Sequence, residues 1–386
     1  MKNSSKIIDT ICEDCCGCTA CSAVCPKDCI TMDYCASGFY EARIDLSKCI
    51  HCDNCRRVCP QNSAPADTTQ KLEKKYYFVA ESKDKMVLSY SASGGAAFEL
   101  SRSGIVNGWK VIGTIYNCKN DRAEWRIASS TEELSPFCGS KYIQSLPNNI
   151  IGQIDPRQPY IIIATPCQIA GVLKVIERKK WKRENFLLVD FHCHGTPSYN
   201  IWDNYISEVK KRMGTSNFLN VSFRNKIKGW HTFILRFDSE NNVYYSNSPS
   251  DRNLFYDYFF GHSWFHECCL HCYLKGDTSF ADIRLGDCWN KDYVKYKPGK
   301  SAVSVFSNFG LKFLKECTNL EIIEQDRNFV IAGQISHAAK EGRFSSKIQN
   351  GILKGTSISI LRYLYIIFPN IPSRIIDKMK SLVSRK

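Results

Sequence analysis

No stretch of this chain approaches the roughly 20 consecutive apolar residues that span a bilayer. The longest apolar run towards the end, Ile358 to Phe368, is broken by Arg362, so no transmembrane helix is expected. The opening MKNSSKIIDT runs into a polar, cysteine-rich stretch and holds no apolar core of an export signal. A cytoplasmic location is therefore the expectation. Helix-turn-helix, zinc-finger and aromatic-interleaved basic patterns are absent too, which argues against nucleic acid as a partner. Acidic residues are comparatively scarce, with 38 Asp and Glu against 52 Lys and Arg and a formal net charge of +14. Residues 1–65 carry 7 Lys and Arg against 8 Asp and Glu, whereas residues 341–386 carry 9 against 2. The basic surplus thus belongs to the body and tail, and suits small acidic electron carriers or an anionic lipid surface.

Cysteine is abundant. Twenty-one are present, twelve of them within the first 59 residues. In a short exported chain that density would mean a disulfide scaffold; in a long chain without an export signal it points to metal ligation. Cys15, Cys18, Cys21 and Cys25, followed by Pro26, repeat the spacing of Cys49, Cys52, Cys55 and Cys59, followed by Pro60. Each is the C-x2-C-x2-C-x3-C-P run of bacterial two-cluster ferredoxins, in which three thiolates hold one 4Fe-4S cluster and the fourth reaches the other. Cluster one is assigned to Cys15, Cys18, Cys21 and Cys59, and cluster two to Cys49, Cys52, Cys55 and Cys25. The alternative, a zinc-binding pair of CxxC motifs, needs one closed quartet, not two interleaved ones with trailing prolines. Cys12, Cys16, Cys29 and Cys35 fall outside the pattern and read as free thiols near the clusters, with Cys12 and Cys16 as rival ligands for cluster one.

Gln61 to Thr69 reads as a polar linker, after which short β-rich runs alternate with helical stretches. Tyr160–Ala164 and Phe186–Phe191 are continuously apolar and each precedes a helical pattern, as buried parallel strands do. Ser130-Thr-Glu-Glu133 carries a capping-box pattern and predicts a helix entry. The expected architecture is a multidomain α+β and α/β chain. A bacterial two-cluster ferredoxin fold over 1–64 precedes an α/β flavin and iron-sulfur body with a partly parallel sheet, in two parts (70–150 and 155–345), and a basic tail over 346–386.

Seven short motifs stand in order along the body. They are Ser91-Ala-Ser-Gly-Gly95, Gly139-Ser-Lys-Tyr-Ile-Gln144, Thr165-Pro-Cys-Gln-Ile-Ala-Gly171, Cys193-His-Gly-Thr-Pro-Ser198, Phe223-Arg-Asn225, Cys269-x2-Cys272 and Asp282-Ile-Arg-Leu-Gly-Asp-Cys-Trp289. Over roughly residues 10 to 310 the chain resembles the beta subunit family of coenzyme F-420 hydrogenases and dehydrogenases, in the version with an N-terminal two-cluster ferredoxin. The resemblance implies a flavin- and iron-sulfur-dependent oxidoreductase that binds FAD. Such a protein passes electrons between 4Fe-4S clusters and a hydride carrier or organic substrate; a flavin-free relay subunit is the alternative. Implied partners are a ferredoxin, a deazaflavin or another hydride carrier, and a further enzyme subunit. Cys138 and Cys288 depart from the basic and aromatic residues usual at those places in the family.

Ser93, Gly94 and Gly95 open a helix whose free N–H groups suit a diphosphate, and Lys141 and Tyr142 are candidates to neutralise it or stack on a ring. Plain turn chemistry, a solvated lysine and a core tyrosine are the alternatives. A third cluster is expected on Cys167, Cys193, Cys269 and Cys272. The first two follow apolar strands whose tips form a ligand crevice in parallel sheets, and the CxxC adds two thiolates. Against this stand two buried thiols beside a redox or zinc CxxC, with Cys268 as a rival ligand. No catalytic residue is assigned; His194, beside a strand tip, is the best placed of the eight histidines. In the tail, Ile375, Ile376, Met379, Leu382 and Val383 recur at helical spacing behind Ser373, with Arg374, Lys378, Lys380, Arg385 and Lys386 on a basic face. This predicts a helix that docks on a membrane surface or partner, or packs on its own body.

Overall fold

Two residues after Cys15, and again two residues after Cys49, the backbone turns left-handed, at Gly17 (φ +71°) and His51 (φ +53°). It does so again at Thr19 (φ +60°) and Asp53 (φ +62°), just before one-turn helices α1 (Ala20–Ala23) and α2 (Asn54–Arg57). The internal doubling of the sequence is therefore a doubling of backbone conformation. A hairpin, β1 (Ile30–Tyr34) against β2 (Tyr40–Ile44), pairs Ile30 with Ile44. Its buried face, Ile30, Ala42 and Ile44, packs on Cys21, Cys29 and Cys59. So small a core supplies little stability by itself, and natural domains of this size add disulfides or metal; all these cysteines are free thiols. The computed structural model describes residues 11–12, 14–65, 71–246 and 254–367. The amphipathic pattern from Ser373 to Lys386 lies outside them.

The body is built on nine strands: β3 (Lys71–Ser82), β4 (Lys110–Asn117), β5 (Arg122–Ala128), β6 (Ser145–Leu146), β7 (Tyr160–Ile163), β8 (Phe186–Phe191), then β12 (Ile283–Asp287), β13 (Ser301–Ser307) and β14 (Leu320–Glu324). Their order is β14-β3-β13-β12-β8-β7-β4-β5-β6. The centre, β12-β8-β7-β4, is parallel, and antiparallel strands extend it on both sides. Between β8 and β12 a three-stranded sheet forms from β9 (Asn220–Asn225), β10 (Ile234–Asp238) and β11 (Val243–Tyr245).

The continuous apolar runs of β7 and β8 follow from burial on both faces. Ile161, Leu187 and Val189 face one core with Leu100 of helix α3 (Ala96–Val106) and Phe313 and Leu314 of a later helix, Asn308–Glu316. Ile162 and Leu188 face the other, with Ile169, Val172, Leu173 and Ile176 of helix α4 (Pro166–Lys179). Cys16, Cys18, Ala20 and Val58 join that second core, so the ferredoxin-like segment packs against the body through α4. Gly171 of α4 has no side chain because Cys18 Sγ lies 2.9 Å from where its Cβ would be.

The hairpin tip docks separately. Tyr199 N donates to Gly38 O (2.9 Å), Ser198 Oγ to Ser37 O (2.7 Å) and Asn200 Nδ2 to Ala36 O (2.9 Å), all at the start of helix α5 (Tyr199–Met213). The predicted helix entry at Ser130 is instead a 3-10 turn, Glu132–Phe137, containing Pro136. Proline lacks the N–H an α-helix needs there, and Glu133 turns back to accept from Ser129 N and Ser130 N. Among the described residues, no helix is long and apolar enough to cross a membrane.

Candidate functional site

The cysteines of the two N-terminal runs and the body quartet line three cavities. Cys15, Cys18, Cys21 and Cys59 line the first together with Cys12 and Cys16. Ala42 N donates to Cys15 Sγ (3.4 Å), and the Cys12 thiol hydrogen-bonds both Cys15 and Cys59. That thiol, ahead of backbone N–H groups, holds Cys15 near 7 and Cys59 near 6, below the ordinary thiol value and against the effect of burial. Lys174 of α4, buried, donates to Cys59 O (3.3 Å) and Ser63 O (2.7 Å) and places a cation beside Cys59. Thiolate is the form that binds iron. Cys25, Cys49, Cys52 and Cys55 line the second cavity with Cys29, whose sulfur is 3.3 Å from that of Cys25. His51 N donates to Cys49 Sγ (3.4 Å). In each cavity the fourth cysteine comes from the other run, the grouping that crossed ligation requires. Cys52 and Ile50 are exposed, so the second cavity lies at the surface.

The third cavity is in the body and is lined by Cys167, Cys193, Cys269 and Cys272, with Cys16, Cys268, His266 and Lys275. The topology explains the meeting. Strands β7 and β8 pair in parallel; Cys167 follows β7 at the start of α4, and Cys193 follows β8. Thr165 N and Oγ1 bond Gln168 Oε1 (3.4 and 3.0 Å) and Pro166 opens the helix, fixing Cys167 in its first turn. Cys269 belongs to the short helix Glu267–Leu270, with Cys269 N donating to His266 O (2.8 Å). Lys275, buried, donates to Cys193 O and puts positive charge beside Cys193, Cys269 and Cys272. Without a cluster, burial pushes the Cys193 thiol up to about 12. The Cys268 thiol instead draws Cys269 below the usual range. Lys275, His266 and the double role of Cys16 carry no spacing signal in the sequence.

Among the described residues, no three or more His, Cys, Asp or Glu converge as ligands of one metal ion would. Thiolates ranged around a cavity are the arrangement a multi-iron cubane takes. The donor set is all sulfur, with backbone N–H donors directed at Cys15, Cys49 and Cys59 among others and a lysine beside two of the cavities, and it fits 4Fe-4S clusters.

The residues expected at a diphosphate are engaged by protein. A Cβ on Gly94 would run into Ala80 O and Ser301 N, and Gly95 (φ +80°) faces Val87 and Ser82. Ser93 Oγ lies 3.3 Å from Ser301 Oγ. Lys141 Nζ donates to the carbonyls of Pro136, Phe137 and Cys138 (3.1, 3.0 and 2.9 Å), and burial lowers it to about 8. Tyr142 packs among Phe223, Phe233, Tyr256 and Phe259, its hydroxyl 3.3 Å from Arg224. As placed, these groups do not form an open seat for a diphosphate, and no reaction step is routed through them. Cys288 is fully buried beside Tyr77, Val79 and Val330, a packing position. His194 Nε2 pairs with His262 Nε2 at 2.9 Å, and His262 Nδ1 bonds Lys340 O.

No curated protein sequence matches the chain. Its fold is similar to a chain of the F420-reducing [NiFe] hydrogenase complex from Methanosarcina barkeri, with 16% identity and a TM-score of 0.46, over 78% of this chain and 95% of that one. Residues 14–63 match the model of the 4Fe-4S dicluster domain, and residues 158–327 match that of the C terminus of the coenzyme F420 hydrogenase/dehydrogenase beta subunit. Behind its cysteine quartets the chain thus joins a 4Fe-4S dicluster domain, over residues 14–63, to a region similar to the C terminus of the coenzyme F420 hydrogenase/dehydrogenase beta subunit, over residues 158–327, a pairing that implies iron-sulfur electron transfer.

Proposed function

We propose that the chain is an iron-sulfur flavoprotein oxidoreductase that passes electrons through three 4Fe-4S clusters, between a one-electron partner and a flavin-bound hydride carrier or substrate. One observation carries the three-cluster relay: Cys16 lines both the first cavity and the body cavity, and its thiol hydrogen-bonds Cys167. The order is then the exposed second quartet, the first quartet, and the body quartet of Cys167, Cys193, Cys269 and Cys272. A one-electron partner, a ferredoxin or another enzyme subunit, meets the chain at Cys52. Lys174 and Lys275 offset negative charge at Cys59 and at the body cysteines.

The chemistry a flavin would supply, if bound, is the exchange of two electrons as hydride against single electrons at the clusters, which would join a hydride carrier such as a deazaflavin to them. The flavin enters this reading through the family resemblance. A flavin-free relay subunit is the second reading, and it is favoured by the protein partners that Gly94 and Lys141 already have. Cofactor extraction and iron analysis of anaerobically purified protein test both. About one FAD and twelve irons per chain support the proposal; twelve irons without flavin select the relay, and eight remove the body cluster.

A further inference from the structure

His266 is only 4% exposed, and neither ring nitrogen has a hydrogen-bond partner. It lines the body cavity with Cys167, Cys193, Cys269 and Cys272. Its backbone is fixed on both sides, with its N–H donating to Thr196 O (2.9 Å) and its carbonyl accepting from Cys269 N. The ring is clamped by Phe39, whose centroid is 4.2 Å away. Phe39 comes from the tip of the β1–β2 hairpin of the ferredoxin-like segment, where Gly38 bonds Tyr199. A neutral imidazole has one N–H to donate, and a buried donor without an acceptor is costly. The groups bordering the cavity that carry negative charge when iron is bound are the thiolates and sulfides of the cluster.

We propose that His266 is a positioning residue for electron transfer: it donates an N–H hydrogen bond to a sulfur of the body cluster, and Phe39 holds its ring in place. This rests on the three-cluster reading above. The bond strengthens when the cluster gains an electron, because the sulfurs become more negative, so it raises the reduction potential of that cluster. Electrons arriving from the first cluster are thereby drawn towards the body. Docking of the ferredoxin-like segment and the potential of the body cluster are linked through one aromatic contact.

Potentiometric titration of the anaerobic protein, followed by electron paramagnetic resonance, tests this with His266→Phe and His266→Gln, the latter keeping an N–H donor. Iron is counted first. Eight irons in the wild type overturn the inference together with the three-cluster reading, whereas twelve leave that reading standing and put the inference alone at stake. His266→Phe is expected to keep its iron and lower the body-cluster potential by at least a tenfold change in equilibrium constant, about 59 mV for one electron. His266→Gln should recover most of the shift, and the other two clusters should not move. An unchanged potential in His266→Phe with full iron overturns the inference. So does loss of a third of the iron with His266→Phe, which makes His266 a ligand. If the variants fail to fold, wild-type protein labelled with 15N-histidine decides: a weak nitrogen coupling to the reduced body cluster is expected, and none contradicts the hydrogen bond.

Discussion

Arg284 and Asp190 form a two-pronged ion pair, Nε to Oδ1 at 2.7 Å and Nη2 to Oδ2 at 2.6 Å, with both side chains shut off from solvent. The two residues face each other in the register of β12 and β8. The guanidinium also donates to Gly276 O and Thr278 O (2.6 and 3.0 Å), which ties the loop after Cys272 to the strand that leads to Cys193. Breaking such a pair strands a buried charge and costs about 3–5 kcal/mol. Arg284→Met is expected to lower stability by that much in urea unfolding and to release the iron of the body cluster first. Full iron content with unchanged stability would show that the pair does not organise the site.

Gly38 adopts a left-handed conformation (φ +78°), and a side chain there would run into Ser198 Oγ and Asn200 N. Backbone strain of this kind costs about 1–3 kcal/mol. Gly38→Val should loosen the hairpin tip, pull Phe39 from His266 and slow electron arrival at the body cluster, while the two N-terminal clusters keep their iron. Rapid-freeze electron paramagnetic resonance after mixing with a reductant measures this; wild-type timing would mean that the tip does not set the dock.

Lys226 Nζ donates to Leu88 O (2.8 Å), Ser93 O (2.7 Å) and Pro298 O. Burial, with Arg224 adding, lowers it to about 8 from 10.5, against the opposing pull of Asp287 and Glu81. Between those values the unfolded chain holds a proton that the native chain has released, so this contribution to stability rises with pH there and is constant below it. The stability of wild type minus that of Lys226→Met should therefore grow between pH 8 and 10.5. Parallel curves from urea midpoints at pH 7.5 and 10 would contradict the assignment.

Cys16 and Cys268 border the proposed clusters at the cavity walls, beside the assigned ligands. Cys16→Ala and Cys268→Ala are each expected to keep about twelve irons per chain. Loss of a third of the iron in either would move the ligand set by one residue.

Much of the site was legible because its chemistry is written in spacing. The two C-x2-C-x2-C-x3-C-P runs group their cysteines across the repeat, and the apolar runs ending before Cys167 and Cys193 required neighbouring buried strands. The third wall of that cavity was visible as Cys269-x2-Cys272. Less legible was whatever depends on distant approach. Ser301–Ser307 mixes small polar and apolar residues, and only its partners reveal that it is wholly buried between β12 and β3. His266 is one of eight histidines until Phe39, 227 positions earlier, is found against it. Gly94 looked like a phosphate turn because glycine also serves where two backbones meet, here at Ala80 and Ser301.

The most direct test of the three-cluster relay is iron content with electron paramagnetic resonance on anaerobic protein, wild type beside Cys167→Ala. About twelve irons are expected in the wild type and about eight in the variant, with the signals of both N-terminal clusters retained. Eight irons in fully loaded wild type, or no iron lost on replacing Cys167, would contradict it.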